Sequence, residues 1–206
     1  MCATLLTARS LACLRGGRLV FAGLSFRLDA GEVLVLTGPN GSGKSSLLRL
    51  VAGLVPAFAG TLDWTGTPGS IAYLGHQDAV KPILTPRETL RFWGAVAGAA
   101  PDAAAIDAAL AAVGLDGLDE LPCRFLSAGQ RRRLALARFE LDPARLWLLD
   151  EPTLGLDMTS VARLEARVAR HRARGGIVML ATHVPLALDC ARGLALEDFA
   201  MAEAPL

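Results

Sequence analysis

The apolar run Val33–Thr37 leads directly into Gly38-Pro39-Asn40-Gly41-Ser42-Gly43-Lys44-Ser45, and a helix-patterned stretch continues from Ser45 through Ser46 to Gly53. This order of strand, glycine-rich turn and helix constrains the chain more than any other feature. The octapeptide satisfies G-x-x-x-x-G-K-[ST], whose meaning depends on that structural context. Its glycines let successive N–H groups turn inward around phosphate oxygens, and the helix start adds the positive end of its dipole. Lys44 is then expected to bridge terminal phosphates, and the Ser45 hydroxyl to hold Mg²⁺. The loop alone does not choose among kinases, GTPases, helicases and transporters.

A second half-site is visible at Leu146–Asp150 followed by Glu151, an apolar strand ending in adjacent carboxylates. A parallel sheet places such residues at its ligand crevice. Successive side chains diverge, so the two acids take different roles: Asp150 for the Mg²⁺ shell, Glu151 to polarise an attacking water. Phosphoryl transfer asks chiefly for such positioning and charge stabilisation.

Apolar patterning predicts further strands at Val20–Leu28, Thr61–Trp64, Ile71–Gly75 and Gly176–Ala181. It predicts helices at Arg87–Ala97, Asp102–Val113, Ala128–Glu140 and Thr159–Arg174. Strands at both ends with helices between indicate an α/β core carrying an inserted helical subdomain. The division is a core of about residues 1–78 and 141–206 and a helical part of about 79–140, within one domain of 206 residues.

Composition narrows the class further. The mean hydropathy of +0.41 comes from dispersed Ala and Leu, and no apolar stretch reaches the roughly 20 residues that span a bilayer. Phe92–Leu115 is interrupted by Pro101, Asp102 and Asp107, and Met1–Arg15 lacks the form of a signal peptide, so the chain is expected to stay where it is made. A net charge of +1, with the basic residues spread along the chain, gives no nucleic-acid surface. Cys2, Cys13, Cys123 and Cys190 lack metal-ligand spacing and read as inert thiols.

Leu126-Ser127-Ala128-Gly129-Gln130 resembles the signature motif of ABC ATPases, with Ala128 where glycine is more usual. Ser127 and Gln130 also have the S-x-x-[EQ] spacing of a capping box, and the two readings are compatible, because a capped helix start is itself an anion site. The resemblance implies a P-loop NTPase (RecA-like) core with an antiparallel β subdomain and the inserted helices. It further implies that Ser127, Gly129 and Gln130 meet ATP held by a second subunit, so the catalytic unit is a homodimer with ATP at the interface. Gln77 matches the loop glutamine that senses Mg²⁺ and faces the membrane partner. Asp157, in Gly155-Leu156-Asp157, matches the residue that contacts the partner subunit, and His183 the switch histidine beside the terminal phosphate. Arg15 stands where the family usually has an aromatic residue on adenine. Stacking by its guanidinium and a plain loop arginine both remain open there.

Tyr73-Leu74-Gly75-His76-Gln77-Asp78-Ala79-Val80-Lys81-Pro82, Leu84-Thr85 and Glu88-Thr89-Leu90-Arg91-Phe92-Trp93 resemble the haem-exporter ATP-binding subunits of cytochrome c biogenesis, as does Gly23-Leu24-Ser25-Phe26. That family implies integral membrane subunits as partners and a peripheral place on the cytoplasmic face of the bacterial inner membrane. Its ATP cycle either moves haem or releases a haem-loaded chaperone. His76 is expected to contact a partner or pack rather than to bind haem. A soluble ABC ATPase, such as an iron–sulfur assembly factor, is the alternative, as is a different ABC exporter.

Overall fold

A long antiparallel hairpin opens the fold. The computed structural model describes residues 4–67 and 69–200, so Cys2 lies outside the described residues. Strands β1 (Thr4–Arg15) and β2 (Arg18–Asp29) turn at Gly16 and Gly17, whose φ values are 58° and 79°. That two-residue turn follows the right-handed twist of its strands, and glycine adopts it without strain. Further along the chain come β3 (Val33–Thr37), α1 (Lys44–Val51) and β4 (Ala59–Trp64). β4 pairs with the free edge of β1, giving an antiparallel sheet ordered β2-β1-β4. At Ser10, φ 48°, the register of β1 shifts against both neighbours, the mark of a bulge. A Cβ at Gly60 would lie 2.4 Å from the Ser10 carbonyl oxygen, so only glycine lets β4 approach there.

The remaining elements are β5 (Ile71–Leu74), α2 (Pro86–Val96), α3 (Ala103–Ala112), α4 (Ala128–Ala137), β6 (Leu146–Asp150), α5 (Met158–Ala173), β7 (Ile177–Ala181) and β8 (Arg192–Ala195). Five strands form a parallel sheet ordered β5-β6-β7-β3-β8. Every residue of β6 and β7 is buried, as expected for central parallel strands covered on both faces. Alternation divides them. Leu146, Leu148, Ile177 and Met179 join a core with α1 and the antiparallel sheet. Trp147, Leu149, Val178 and Leu180 join a second core with α4 and α5. Each fully buried side chain of this size contributes about 1.5–3 kcal/mol.

The helices between β5 and β6 have their own apolar centre, including Leu90, Ile106, Leu110, Leu115, Leu134 and Ala137. All three starts are capped: Thr85 with Glu88 and Ser127 with Gln130 form reciprocal boxes, and Asp102 accepts from Ala105 N–H. These caps satisfy N–H groups that a helix leaves orphaned.

Two strands lie outside the sequence-based expectations, β1 and β8. The helix expected over Ala128–Glu140 ends at Ala137, and Arg138–Glu140 form a 3₁₀ turn. The turn accompanies Arg138, which reaches inward to donate to the Tyr73 carbonyl and stacks 4.6 Å from the Trp93 ring centroid. Burial lowers the Arg138 pKa to about 10.

Candidate functional site

Three neighbouring strand ends build the site. Leu36, Ala181 and Asp150 are aligned across β3, β7 and β6, so the loops leaving these strands emerge at one level of the sheet. Strands sit about 4.8 Å apart, which places the glycine-rich loop and Asp150 about two spacings apart with the β7 exit between them. Asn40, Gly41, Gly43, Lys44, Ser45, Ser46, Asp150, Glu151 and His183 line one cavity of about 520 Å³, together with Val20, His76 and Thr153.

The loop folds tightly around its own lysine. Lys44 Nζ donates to the carbonyls of Gly38 at 2.7 Å and Pro39 at 3.0 Å, leaving one N–H of the ammonium for another acceptor. Gly43 has φ 103° and serves as the N-cap of α1 without a side-chain bond, so the first-turn N–H groups keep their capacity for an anion. A Cβ on Gly43 would stand 2.7 Å from Val20 Cγ1 and 3.0 Å from Phe21 Cδ1. The long hairpin therefore braces the loop, and glycine is required by contact as well as by conformation.

Ser45 Oγ donates to Asp150 Oδ1 at 2.9 Å, which ties α1 to the end of β6. Asp150 is 1% exposed, and its Oδ2 is buried with no hydrogen-bond partner. A buried carboxylate oxygen without a donor is costly, and a cation beside Ser45 would relieve it; the donor set fits Mg²⁺ in this respect. Among the described residues, no group of three or more His, Cys, Asp and Glu side chains could hold a metal ion. One carboxylate and one hydroxyl are the kind of partial shell that Mg²⁺ completes with phosphate oxygens and water.

Glu151 has φ 49°, a left-handed conformation rare outside glycine. Its N–H donates to Ala181 O at 2.8 Å, and its carboxylate receives the His183 N–H at 3.3 Å. His183 Nε2 lies 3.1 Å from Asn40 Oδ1 and 3.4 Å from Glu151 Oε1. The imidazole thus bridges the loop and the glutamate. A hydroxyl pair, Thr153 Oγ1 and Thr182 Oγ1 at 3.0 Å, joins the segments following β6 and β7.

Other expected site residues lie elsewhere. Arg15 is exposed at the end of β1, paired across the hairpin with Arg18 and outside the cavity wall, whereas Val20 of the same hairpin is in it. Gln77 is exposed and lines a separate groove of about 750 Å³ between β5 and α2. His76 lines both spaces. Ser127, Gly129 and Gln130, at the start of α4, do not line this chain's cavity. Asp157 caps α5 by accepting the Ser160 N–H at 2.8 Å, and its bonding to Ser160 holds its carboxyl below the usual range.

Sequence reading missed Val20, the Thr153–Thr182 pair and Arg132, a buried α4 arginine that donates to the Asp150 and Glu151 carbonyls. The Gly16-Gly17 pair signals the hairpin that carries Val20. Arg132 sits in a run of three arginines, and nothing in that run shows which one turns inward.

A family model for the ABC transporter matches residues 21–154. The chain is 51% identical to the cytochrome c biogenesis ATP-binding export protein CcmA of Paramagnetospirillum magneticum, over 96% of each chain. It is also 51% identical to the CcmA protein of Rhodospirillum rubrum, covering 92% of this chain and 84% of that relative. An ABC-transporter ATP-binding protein from Pyrococcus furiosus superposes with a TM-score of 0.85 at 24% identity, over 95% of this chain and 99% of the other, and shares the fold. The loop that cradles its own lysine and the paired carboxylates thus stand in a recognised lineage: the chain belongs to the ABC transporter family of ATP-hydrolysing proteins and, within it, to the CcmA group of cytochrome c biogenesis.

Proposed function

We propose that the chain is the motor subunit of a cytochrome c biogenesis exporter, acting as a homodimer with ATP held at the interface. The observation that carries this reading is the division of the site. Lys44, Ser45, Asp150, Glu151 and His183 share one cavity, while Ser127 and Gly129 are outside its wall. Ser127 is exposed at the capped start of α4, so a nucleotide held by another copy can reach it. Leu154 and Val184, 55% and 45% exposed, line the cavity and provide apolar surface for such a copy.

In this reading Lys44 and the first-turn N–H groups of α1 bind the terminal phosphates. Ser45 and Asp150 would hold Mg²⁺, which supplies charge neutralisation between phosphates when bound. Glu151 accepts a proton from the attacking water, and His183, steadied by Asn40, orients that water and the terminal phosphate. Adenine lies toward the β1–β2 hairpin, against Val20, with the Arg15 guanidinium at the hairpin end as the group that would stack on the base.

The groove carrying Gln77 suits an integral membrane partner. Trp93 and Arg138 line it, and Val96, 63% exposed, lies at its wall. Among the described residues no helix is long and apolar enough to cross a membrane, so attachment to the cytoplasmic face of the inner membrane runs through that partner. The work done is haem export or release of a haem-loaded chaperone.

The reading is tested by Glu151→Gln. It is expected to retain ATP binding, lower turnover by about 100-fold or more, and accumulate an ATP-bound closed dimer in sedimentation. Undiminished phosphate release removes Glu151 from the role of base.

A further inference from the structure

Arg132 lies on α4, five positions past the cap Ser127, and is 3% exposed. One of its nitrogens, Nη2, donates to the carbonyls of Asp150 at 2.8 Å and Glu151 at 2.5 Å. Its Nη1 donates to the Gly75 carbonyl at 3.2 Å and to Asp78 Oδ1 at 2.8 Å. A single guanidinium thus joins the signature helix, the segment around Gln77 and the backbone of the site glutamate. Its Nε is buried without a partner. A buried cation with an unsatisfied N–H is a poor device for stability alone, so the geometry calls for another explanation.

Glu151 supplies it. A left-handed conformation at a residue other than glycine persists only where the surroundings impose it. The Glu151 N–H is fixed by Ala181 O, and its carbonyl by Arg132. With both sides pinned, the carboxylate is directed to the His183 N–H.

We propose that Arg132 is a positioning residue for hydrolysis, holding the Glu151 backbone in its reactive conformation and linking it through Asp78 to the Gln77 segment. The proposal rests on Glu151 acting as the base. The helix that offers Ser127 to a partner's nucleotide then also sets the glutamate of its own site, so the two sites of a dimer are mechanically joined. Only a planar fork reaches carbonyls on one side and a carboxylate on the other; a lysine ammonium has the charge without that span.

The experiment compares full-length Arg132→Lys, Asp78→Asn and Glu151→Gln, each assembled with its membrane partners. Arg132→Lys is expected to lower kcat by about 10-fold or more while leaving KM for ATP within about threefold, the pattern of a lost transition-state arrangement. Asp78→Asn is expected to lower kcat by about threefold or more with KM likewise held. In the Glu151→Gln background, Arg132→Lys should still allow the ATP-trapped closed dimer. Retention of kcat in Arg132→Lys, a parallel loss of kcat and ATP binding, or loss of the trapped dimer overturns the proposal. Where Arg132→Lys does not assemble, an unchanged kcat in Asp78→Asn overturns it. Full activity of Glu151→Gln instead overturns the reading beneath it.

Discussion

Replacing Gly129 by alanine sets two known effects against each other. Gly129 lies in the first turn of α4, where alanine is favoured over glycine by up to about 1 kcal/mol. A Cβ there would stand 2.8 Å from the Gly155 carbonyl oxygen. The obstacle is backbone, not a flexible side chain, and forced overpacking costs about 1–3 kcal/mol. The net change is therefore a loss of zero to about 3 kcal/mol, or up to about 12 °C in Tm at about 2–4 °C per kcal/mol for a domain of this size. Relief of the contact must displace α4 or the segment containing Gly155, which follows Glu151 and leads to Asp157, so ATP turnover should fall along with stability. Ala128→Gly provides the internal comparison: Ala128 is exposed, so the change carries the propensity loss alone, at most about 1 kcal/mol. Thermal unfolding and phosphate release measure both quantities. A Gly129→Ala protein that gains about 1 kcal/mol and hydrolyses ATP normally refutes the close approach of these two segments.

Two further changes probe the scaffold. The His171 ring stacks on Trp147 at 3.8 Å, and burial, ahead of its nearby arginines, lowers its pKa from 6.5. The folded chain thus binds this proton less readily than the unfolded one, so stability is lost as pH falls through the ordinary histidine range around 6.5. One proton limits the slope to about 1.4 kcal/mol per pH unit. His171→Phe, which keeps an aromatic ring on Trp147, should flatten urea-denaturation midpoints over that window, and an unchanged slope excludes His171 as the cause. Glu140 pairs with Arg167 at 2.6 Å and Arg170 at 3.0 Å, and the Arg167 side chain is 4% exposed. Glu140→Ala should cost about 3 kcal/mol or more by leaving a buried cation unpaired, whereas Asp107→Ala at the surface pair with Arg87 should change stability by at most about 1 kcal/mol; equal urea midpoints for the two variants contradict the burial argument.

Local chemistry made much of this architecture legible. Val33–Thr37, Leu146–Asp150 and Ile177–Ala181 announce themselves because a central parallel strand is apolar throughout and stops where it meets the ligand side. The capping box at Ser127 could be read because its partners lie three residues apart. Long-range requirements were harder to see. β1 mixes apolar residues with Thr7, Arg9 and Ser10, and its bulge breaks the alternation that identifies a strand. β8 is four residues long and defined by its neighbour β3 rather than by its own pattern. At the site, the pairing of Ser45 with Asp150 spans 105 positions, and the choice of Arg132 over Arg131 or Arg133 depends on which face of α4 meets β5 and β6.

With Glu151 as the proposed base, its left-handed backbone sets activity against robustness. Such a conformation costs on the order of 1–3 kcal/mol for a side chain of this type, and a glycine in the same place would shed that burden together with the carboxylate. Selection for heat resistance alone would therefore favour a silent protein at this position. Gln retains the side-chain shape and the backbone penalty, so it isolates the chemistry. Glycine changes both, and a loss of turnover in that variant would coincide with a gain in folding free energy.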